Sequence, residues 1–365
     1  MSDLPPWQRA PLLILGFAGL VTGVLAGLWR LAWPTPAFVA GAPHGALMMC
    51  AFFGTLIALE RAVAVGRRLA YLGPLAGGLG GALLIAGLEP RLSTLPFSLG
   101  GLVLVLASLH AQRRAPALHA RVLTLGAAAW LVGVLVWALT GTIDLALWWW
   151  IAFLVITIAG ERLELSRLMR VSPAMQRYFI GLTGLLVAGA SLAAWPAGER
   201  LFGLGALGLA AWLFRQDVAR RTVKTHGLTR YIAVCLLSGY LWLALGGSLL
   251  AGLAPGAGQA GWDSALHALT VGFVFAMVFG HAPIILPAVL RIRLPYHPGF
   301  YVPLVLLHLS LAVRVAGDLP GAVALRAWGA LGNAGAIGLF LLLMLTAVIA
   351  GQRGQRPARQ GMRTP

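Results

Sequence analysis

The chain has few charged residues and very few acidic ones. Only 10% of its 365 residues are charged and 10 are Asp or Glu, whereas 59% are hydrophobic. This composition excludes a soluble globular domain and indicates an integral membrane protein. The two cysteines, Cys50 and Cys235, both fall in apolar segments, which argues against a disulfide framework. The sequence also lacks a phosphate loop, a nucleophilic triad and a zinc signature.

Long apolar runs fill most of the chain. We expect no cleavable leader, because the first run, from Ala10 to Leu31, is long enough to span a bilayer and lacks a small-residue cleavage site. At about 20 residues per crossing, the chain predicts about twelve transmembrane spans. They lie at 10–32, 39–65, 70–88, 94–111, 121–141, 143–163, 177–195, 200–215, 229–253, 262–290, 299–317 and 322–350.

No alternating strand pattern interrupts these spans, so the predicted fold is all-α. We expect one transmembrane helical domain over residues 1–350, followed by a basic, disordered cytoplasmic tail over 351–365. Trp148-Trp149-Trp150, at the start of span 6, is expected to anchor that helix at the membrane interface.

The basic residues predict the orientation. Most of the 27 Lys and Arg fall on one side of the predicted spans, so the net charge of +17 reflects membrane topology and not nucleic-acid binding. We expect a multi-pass protein of a bacterial inner membrane, with both termini cytoplasmic and the lipid bilayer as its surroundings. The opposite, outer side holds only Arg30, Arg91, Arg200, Arg314 and Arg326.

A short sequence repeat relates three of the spans. The stretch Ile57–Arg61 closes span 2 and the similar stretch Ile158–Arg162 closes span 6, which places Glu60 opposite Glu161. The corresponding place in span 10 is His281, within a weaker match. The simplest description is three pseudo-equivalent groups of four helices.

Two histidines lie near the starts of spans 2 and 10. In the repeat register His44 corresponds to position 265, so His267 is two residues deeper, or about 3 Å along a helix. Two imidazoles at nearly one depth are what bis-histidine ligation of a heme requires. The small residues Gly45, Ala46, Ala268 and Gly272 would let a flat macrocycle approach the backbone. The alternative is that each histidine caps its helix or bonds a carbonyl at the interface.

The histidine segments resemble the NnrS family. The resemblance lies in Pro43–Glu60, with His44 followed by a Gly/Met-rich stretch, and in Trp262–Pro287, where HALTVG opens span 10. It implies a twelve-helix protein distantly related to the heme-copper oxidase catalytic subunit, with heme and copper binding and a role in nitric oxide tolerance. His44 and His267 match the family's helix-2 and helix-10 histidines, which implies a heme, expected to be b-type.

Several positions depart from the oxidase pattern. Spans 6 and 7 contain no histidine, so a three-histidine copper centre of the oxidase type cannot be built there. Span 10 carries Ala265 and Leu269 where a second, closely spaced histidine would hold a high-spin heme. The segment around His281, with Pro283 and Pro287, also departs from the NnrS pattern.

Other polar side chains offer different sites. Glu60, Glu161 and His281 could bind a divalent metal or relay protons, or the two glutamates could pair with neighbouring arginines. Imidazole, thioether and thiolate groups suit copper(I), whereas methionine is also an ordinary packing residue. The candidate copper ligands are His44 with Met48 and Cys50, and His281 with Met277; His308 in span 11 is a further candidate ligand.

The sequence therefore favours an NnrS-like heme protein of the inner membrane that transfers single electrons or responds to nitric oxide. A respiratory-chain or quinone redox partner is expected, and whether the chain is an enzyme is left open. The rival hypotheses are a cofactor-free ion or small-molecule transporter that uses Glu60, Glu161 and His281, a copper-binding membrane protein, and an assembly partner of a respiratory complex.

Overall fold

The computed structural model describes residues 3–166 and 171–353, and this part of the chain is helical, without a strand. Twelve long helices are named here α1 to α12, and shorter helical turns lie in the connections. Their bounds are Pro6–Trp29, His44–Val65, Leu72–Ile85, Thr94–Arg114, Leu118–Thr140, Ile143–Leu165, Pro173–Ser191, Pro196–Gln216, Gly227–Leu253, Trp262–Leu290, Tyr301–Asp318 and Val323–Arg353.

The all-helical prediction is confirmed, and ten of these helices are long and apolar enough to cross a membrane. The two others are α7 and α8, which carry polar residues near their starts, such as Gln176 and Arg177 in α7 and Glu199 and Arg200 in α8. Charged groups lower the apolar character of a helix steeply. The sequence predicted twelve spans, and the number of crossings beyond ten stays a prediction.

Glycines let the first helices pack closely. A Cβ at Gly19 of α1 would lie 2.8 Å from the Cβ of Ala51, and one at Gly81 of α3 would lie 2.7 Å from it. Both distances are shorter than real Cβ contacts, so α1 and α3 press on either side of α2. Small residues at helix contacts are the usual device for bringing membrane helices together.

Helix α6 lies at the centre of the bundle, in contact with both α2 and α10. Its side chains from Trp150 to Ile156 are almost fully buried. The predicted interfacial role of the tryptophan run is therefore wrong for two of its three members. Trp148 is 2% exposed and packs against Phe202 and Trp262, because other helices surround this end of α6 on the sides where lipid was expected.

Helices α2 and α10 share an unusual backbone feature. Each contains an eight-residue π-helical segment, Leu47–Gly54 in α2 and Ala268–Phe275 in α10. Such wide turns are rare and frequently mark functional sites. The two segments are 221 residues apart, which is the offset that relates Glu60 to His281 in the sequence. This agreement supports a structural relation between α2 and α10.

The buried apolar side chains form one main cluster that runs from Leu20 to Ala347. All twelve long helices contribute side chains to this cluster. The predicted basic tail over 351–365 lies outside the described residues from position 354 onward.

Candidate functional site

His44 and His267 meet at one end of the α2–α10 contact. Their ring centroids are 6.5 Å apart and their ring planes are inclined by only 19°. Eight residues further along each helix, Phe52 and Phe275 stack with ring centroids 6.2 Å apart. Both pairs are separated by 223 residues, two more than the sequence repeat. The sequence predicted that His267 lies about 3 Å deeper than His44 along the helices. Despite this difference, the centroids of the two rings are only 6.5 Å apart.

Each of these imidazoles uses one nitrogen to hold its position. The Nδ1 of His44 is 2.6 Å from the carbonyl oxygen of Gly23, and the Nδ1 of His267 is 2.8 Å from that of Asp263. Because a carbonyl oxygen only accepts, both Nδ1 atoms carry the proton and both Nε2 atoms are left with a free lone pair. Neither Nε2 has a hydrogen-bond partner among the described residues. An N–H···O=C bond that fixes the tautomer is usual for a metal-ligating histidine.

The imidazole of His44 packs against helix α1. A Cβ at Gly27 would lie 2.9 Å from Cε1 and Nδ1 of the His44 ring, so only glycine leaves room for the imidazole there. Gly23, one turn earlier, accepts its hydrogen bond. Neither glycine could be singled out from the sequence, since neither has a distinctive pattern within a Gly-rich apolar run.

Residues of helices α10 and α11 position the imidazole of His267. Its Nδ1 also lies 3.3 Å from the Oδ1 of Asp263, one turn earlier on the same helix face. The Nε and Nη2 atoms of Arg314 donate hydrogen bonds of 2.6 and 2.7 Å to the Asp263 carboxylate. The spacing of Asp263 and His267, four residues on a helix, is a signal in the sequence that could have predicted this contact.

The chemistry of this donor set suits a metal held between the two rings. Two metal–imidazole bonds of about 2 Å on one axis, with the ring radius added at each end, place ring centroids about 6 Å apart. The observed 6.5 Å is close to that value. His267 is 16% exposed, so the rings are partly accessible and not sealed in the core. The ring separation and the two unpartnered Nε2 atoms therefore suit one metal ion between the imidazoles, such as a heme iron.

The predicted small residues around the pair have different surroundings. Ala46 and Ala268 are fully buried. A Cβ at Gly45 would make only an ordinary contact with Ile143, at 3.6 Å. Gly272, in contrast, is covered by Trp242, whose ring would lie 2.4 Å from an added Cβ. Gly272 therefore makes room for a side chain of α9 and leaves no space there for a macrocycle.

The soft donors proposed for copper do not gather at one point. Met48 packs over Gly23. The Sγ of Cys50 accepts a hydrogen bond of 3.4 Å from the indole of Trp130. Met277 packs against Gly239 on α9. These contacts hold Met48 and Cys50 on different sides of α2, so the predicted set of ligands around His44 stays a prediction.

Glu60 and Glu161 lie near each other at the opposite end of the inner helices, where their carboxylates interact electrostatically. Neither forms a hydrogen bond or a close ion pair with a described residue. His281 bonds through Nδ1 to the carbonyl of its own Met277, at 2.7 Å, and it interacts electrostatically with Arg162. No described contact joins His281 to the two glutamates.

Within the residues that the structure describes, no three His, Cys, Asp or Glu side chains are grouped to hold a metal ion. His308 has both ring nitrogens occupied, because Nδ1 accepts from the indole of Trp242 and Nε2 bonds to the hydroxyl of Ser238, each at 2.9 Å. This imidazole ties α11 to α9 and has no free nitrogen to offer a metal.

A buried ion pair near Glu161 was not anticipated. Arg162 is one of the neighbouring arginines that could have paired with a glutamate, but it forms two hydrogen bonds of 2.6 and 2.8 Å with Asp217, which follows α8. The hydroxyl of Tyr240 donates to the same carboxylate at 2.6 Å. Asp217 lies in a loop far from Arg162 in sequence, so no local pattern predicts this pairing.

A family model described as Domain of unknown function (DUF8744) matches residues 9–349 of the chain. The matched range runs from α1 into α12 and includes both histidines of the pair. No curated protein matches the chain.

Proposed function

The chain belongs to the DUF8744 family, and we propose that it is a polytopic membrane protein that binds a b-type heme through His44 and His267. The observation that carries this proposal is the meeting of two imidazoles with centroids 6.5 Å apart and with both Nε2 atoms unpartnered. The NnrS resemblance of the same two segments points to the same cofactor.

A bound heme supplies one-electron chemistry at its iron. The role of the chain is to fix the two imidazoles through Gly23 and Asp263 and to leave both Nε2 atoms free. Arg30 lies exposed at the end of α1, within electrostatic range of His44 and without an acidic partner among the described residues. Its guanidinium suits the propionate carboxylates that a heme carries.

If both imidazoles held a heme iron, no ligand position would be left open, which would favour electron transfer or sensing over catalysis at that iron. The resemblance to NnrS proteins further suggests a role in the response to nitric oxide, with a respiratory-chain or quinone redox partner. Copper between the same two imidazoles is the second candidate, because a single bridging ion also matches the observed ring separation.

The membrane placement is part of the proposal. We place all twelve long helices across a bacterial inner membrane, with both termini in the cytoplasm and the histidine pair near the outer face. The distribution of Lys and Arg in the connections supports this orientation. Large exposed apolar side chains on the helix surfaces, such as Ile14, Leu139 and Leu309, suit contact with lipid.

The decisive experiment is an optical spectrum of protein purified in detergent after expression with ample heme supply. A low-spin heme spectrum is expected for the wild type, with absorbance reduced or altered in His44→Ala and in His267→Ala. His297→Ala, in an exposed connection, is the matched control and should keep the wild-type spectrum. A folded, colourless wild-type protein would overturn the heme proposal, and copper found by metal analysis would then favour the second candidate.

A further inference from the structure

The two histidines differ in the hydrogen bonds and ion pairs that hold their helix segments in place. His267 follows the first turn of α10, and two carboxylates tie that turn to α11. Arg314 binds Asp263 through two hydrogen bonds, and Asp318 accepts from the backbone and hydroxyl of Ser264 at 3.0 and 2.9 Å. Bidentate Arg–carboxylate pairs fix geometry as well as contributing energy. The segment that carries His267 is therefore fixed to α11 by an ion pair and by hydrogen bonds.

His44 has much weaker support. It is the first residue of α2 and follows the connection from Arg30 to Pro43. Its one hydrogen bond is to the neutral carbonyl of Gly23. Among the described residues, no carboxylate lies within hydrogen-bond distance of its ring. Release of this imidazole would break one hydrogen bond and no ion pair.

We propose that Asp263 and Arg314 are positioning residues that make His267 the fixed heme ligand and leave His44 as the exchangeable one. This inference rests on the proposed function. It assigns the two imidazoles unequal roles, which neither their sequence context nor the family resemblance distinguishes. The exchangeable position would face the connection between α1 and α2.

The Asp263 carboxylate also affects the electronic character of its histidine. A carboxylate near the Nδ1 proton of an imidazole makes the opposite nitrogen a stronger donor. A stronger donor favours the oxidised iron and lowers the midpoint potential. If neutralising Asp263 reduces the preference for oxidised over reduced iron tenfold, the midpoint potential rises by about 59 mV for a one-electron couple.

The first test compares the heme content of two ligand variants. His44→Ala should retain heme on His267, with the spectrum of an iron that has lost one axial ligand and binds carbon monoxide when reduced. His267→Ala should retain at least about tenfold less heme, in keeping with the size of effects at supporting metal residues. Equal heme loss in both variants from a wild type that carries heme would overturn the inference, whereas a wild type without heme would overturn the proposed function itself.

The second test measures the midpoint potential of Asp263→Asn by redox titration. A rise of some tens of millivolts is expected, and Asp263→Glu should restore a value near that of the wild type. Asp318→Asn is the matched control, because it loosens the same α10–α11 junction through Ser264 and does not touch an imidazole. Equal potentials in Asp263→Asn and the wild type, or equal shifts in Asp263→Asn and Asp318→Asn, would overturn the positioning role.

Discussion

Replacement of Asp217 by alanine tests whether the unanticipated ion pair supports the fold. Its carboxylate is 1% exposed and accepts two hydrogen bonds from Arg162, one from Tyr240 and one from the backbone N–H of Ala219 at 2.7 Å. Alanine removes the acceptor of all four. The Arg162 side chain, itself 4% exposed, then keeps its charge without a partner.

The expected cost follows from that burial. Removing one partner of a buried ion pair destabilises a protein by about 3–5 kcal/mol, because the remaining charge is neither solvated nor paired. Tyr240→Phe removes a single hydrogen bond to a charged group and should cost about 1.5–3 kcal/mol. Replacing both charges, as in Arg162→Met with Asp217→Leu, should be far less damaging than Asp217→Ala alone, since no charge is left uncompensated.

The assay is equilibrium unfolding of the purified protein in mixed micelles, followed by helix content as a denaturing detergent is added. Asp217→Ala is predicted to be the most destabilising of the three variants, since it alone leaves a buried charge unpaired. If Asp217→Ala lies within about 1 kcal/mol of the wild type, the pair behaves as an exposed surface salt bridge and the argument from burial is refuted. A double variant less stable than Asp217→Ala would refute it as well.

Two further predictions concern the packing of His44 against α1 and the orientation in the membrane. Gly27→Ala should displace the imidazole of His44 and lower heme content, measured by pyridine hemochrome assay, because its Cβ would lie 2.9 Å from the ring; Gly45→Ala, with only an ordinary contact, should leave heme content unchanged. For orientation, Arg91→Cys should react with an impermeant maleimide in intact cells, and Arg113→Cys only after permeabilisation, since the native thiols are buried. The reverse labelling pattern would contradict the proposed orientation.

The predictable part of this protein is the part that depends on local pattern. Apolar runs of membrane-spanning length predicted the helices, because a bilayer admits few other structures. His44 and His267 were identifiable because an imidazole in an apolar segment needs a partner or a ligand. The polar starts of α7 and α8 carry charges that weaken their apolar signal, which is why the sequence counts twelve spans and the structure shows ten helices apolar enough to cross.

The sequence by itself determined that the chain is helical, that it suits a membrane, and that two histidines at the starts of related helices are candidates for one site. The tertiary structure decided which groups hold them. Gly23 and Gly27 contact the His44 ring, and Asp263 with Arg314 positions the His267 ring. Such partnerships join helices far apart in the chain, and hydrogen bonds and close packing depend on spatial approach and leave no periodic trace in sequence.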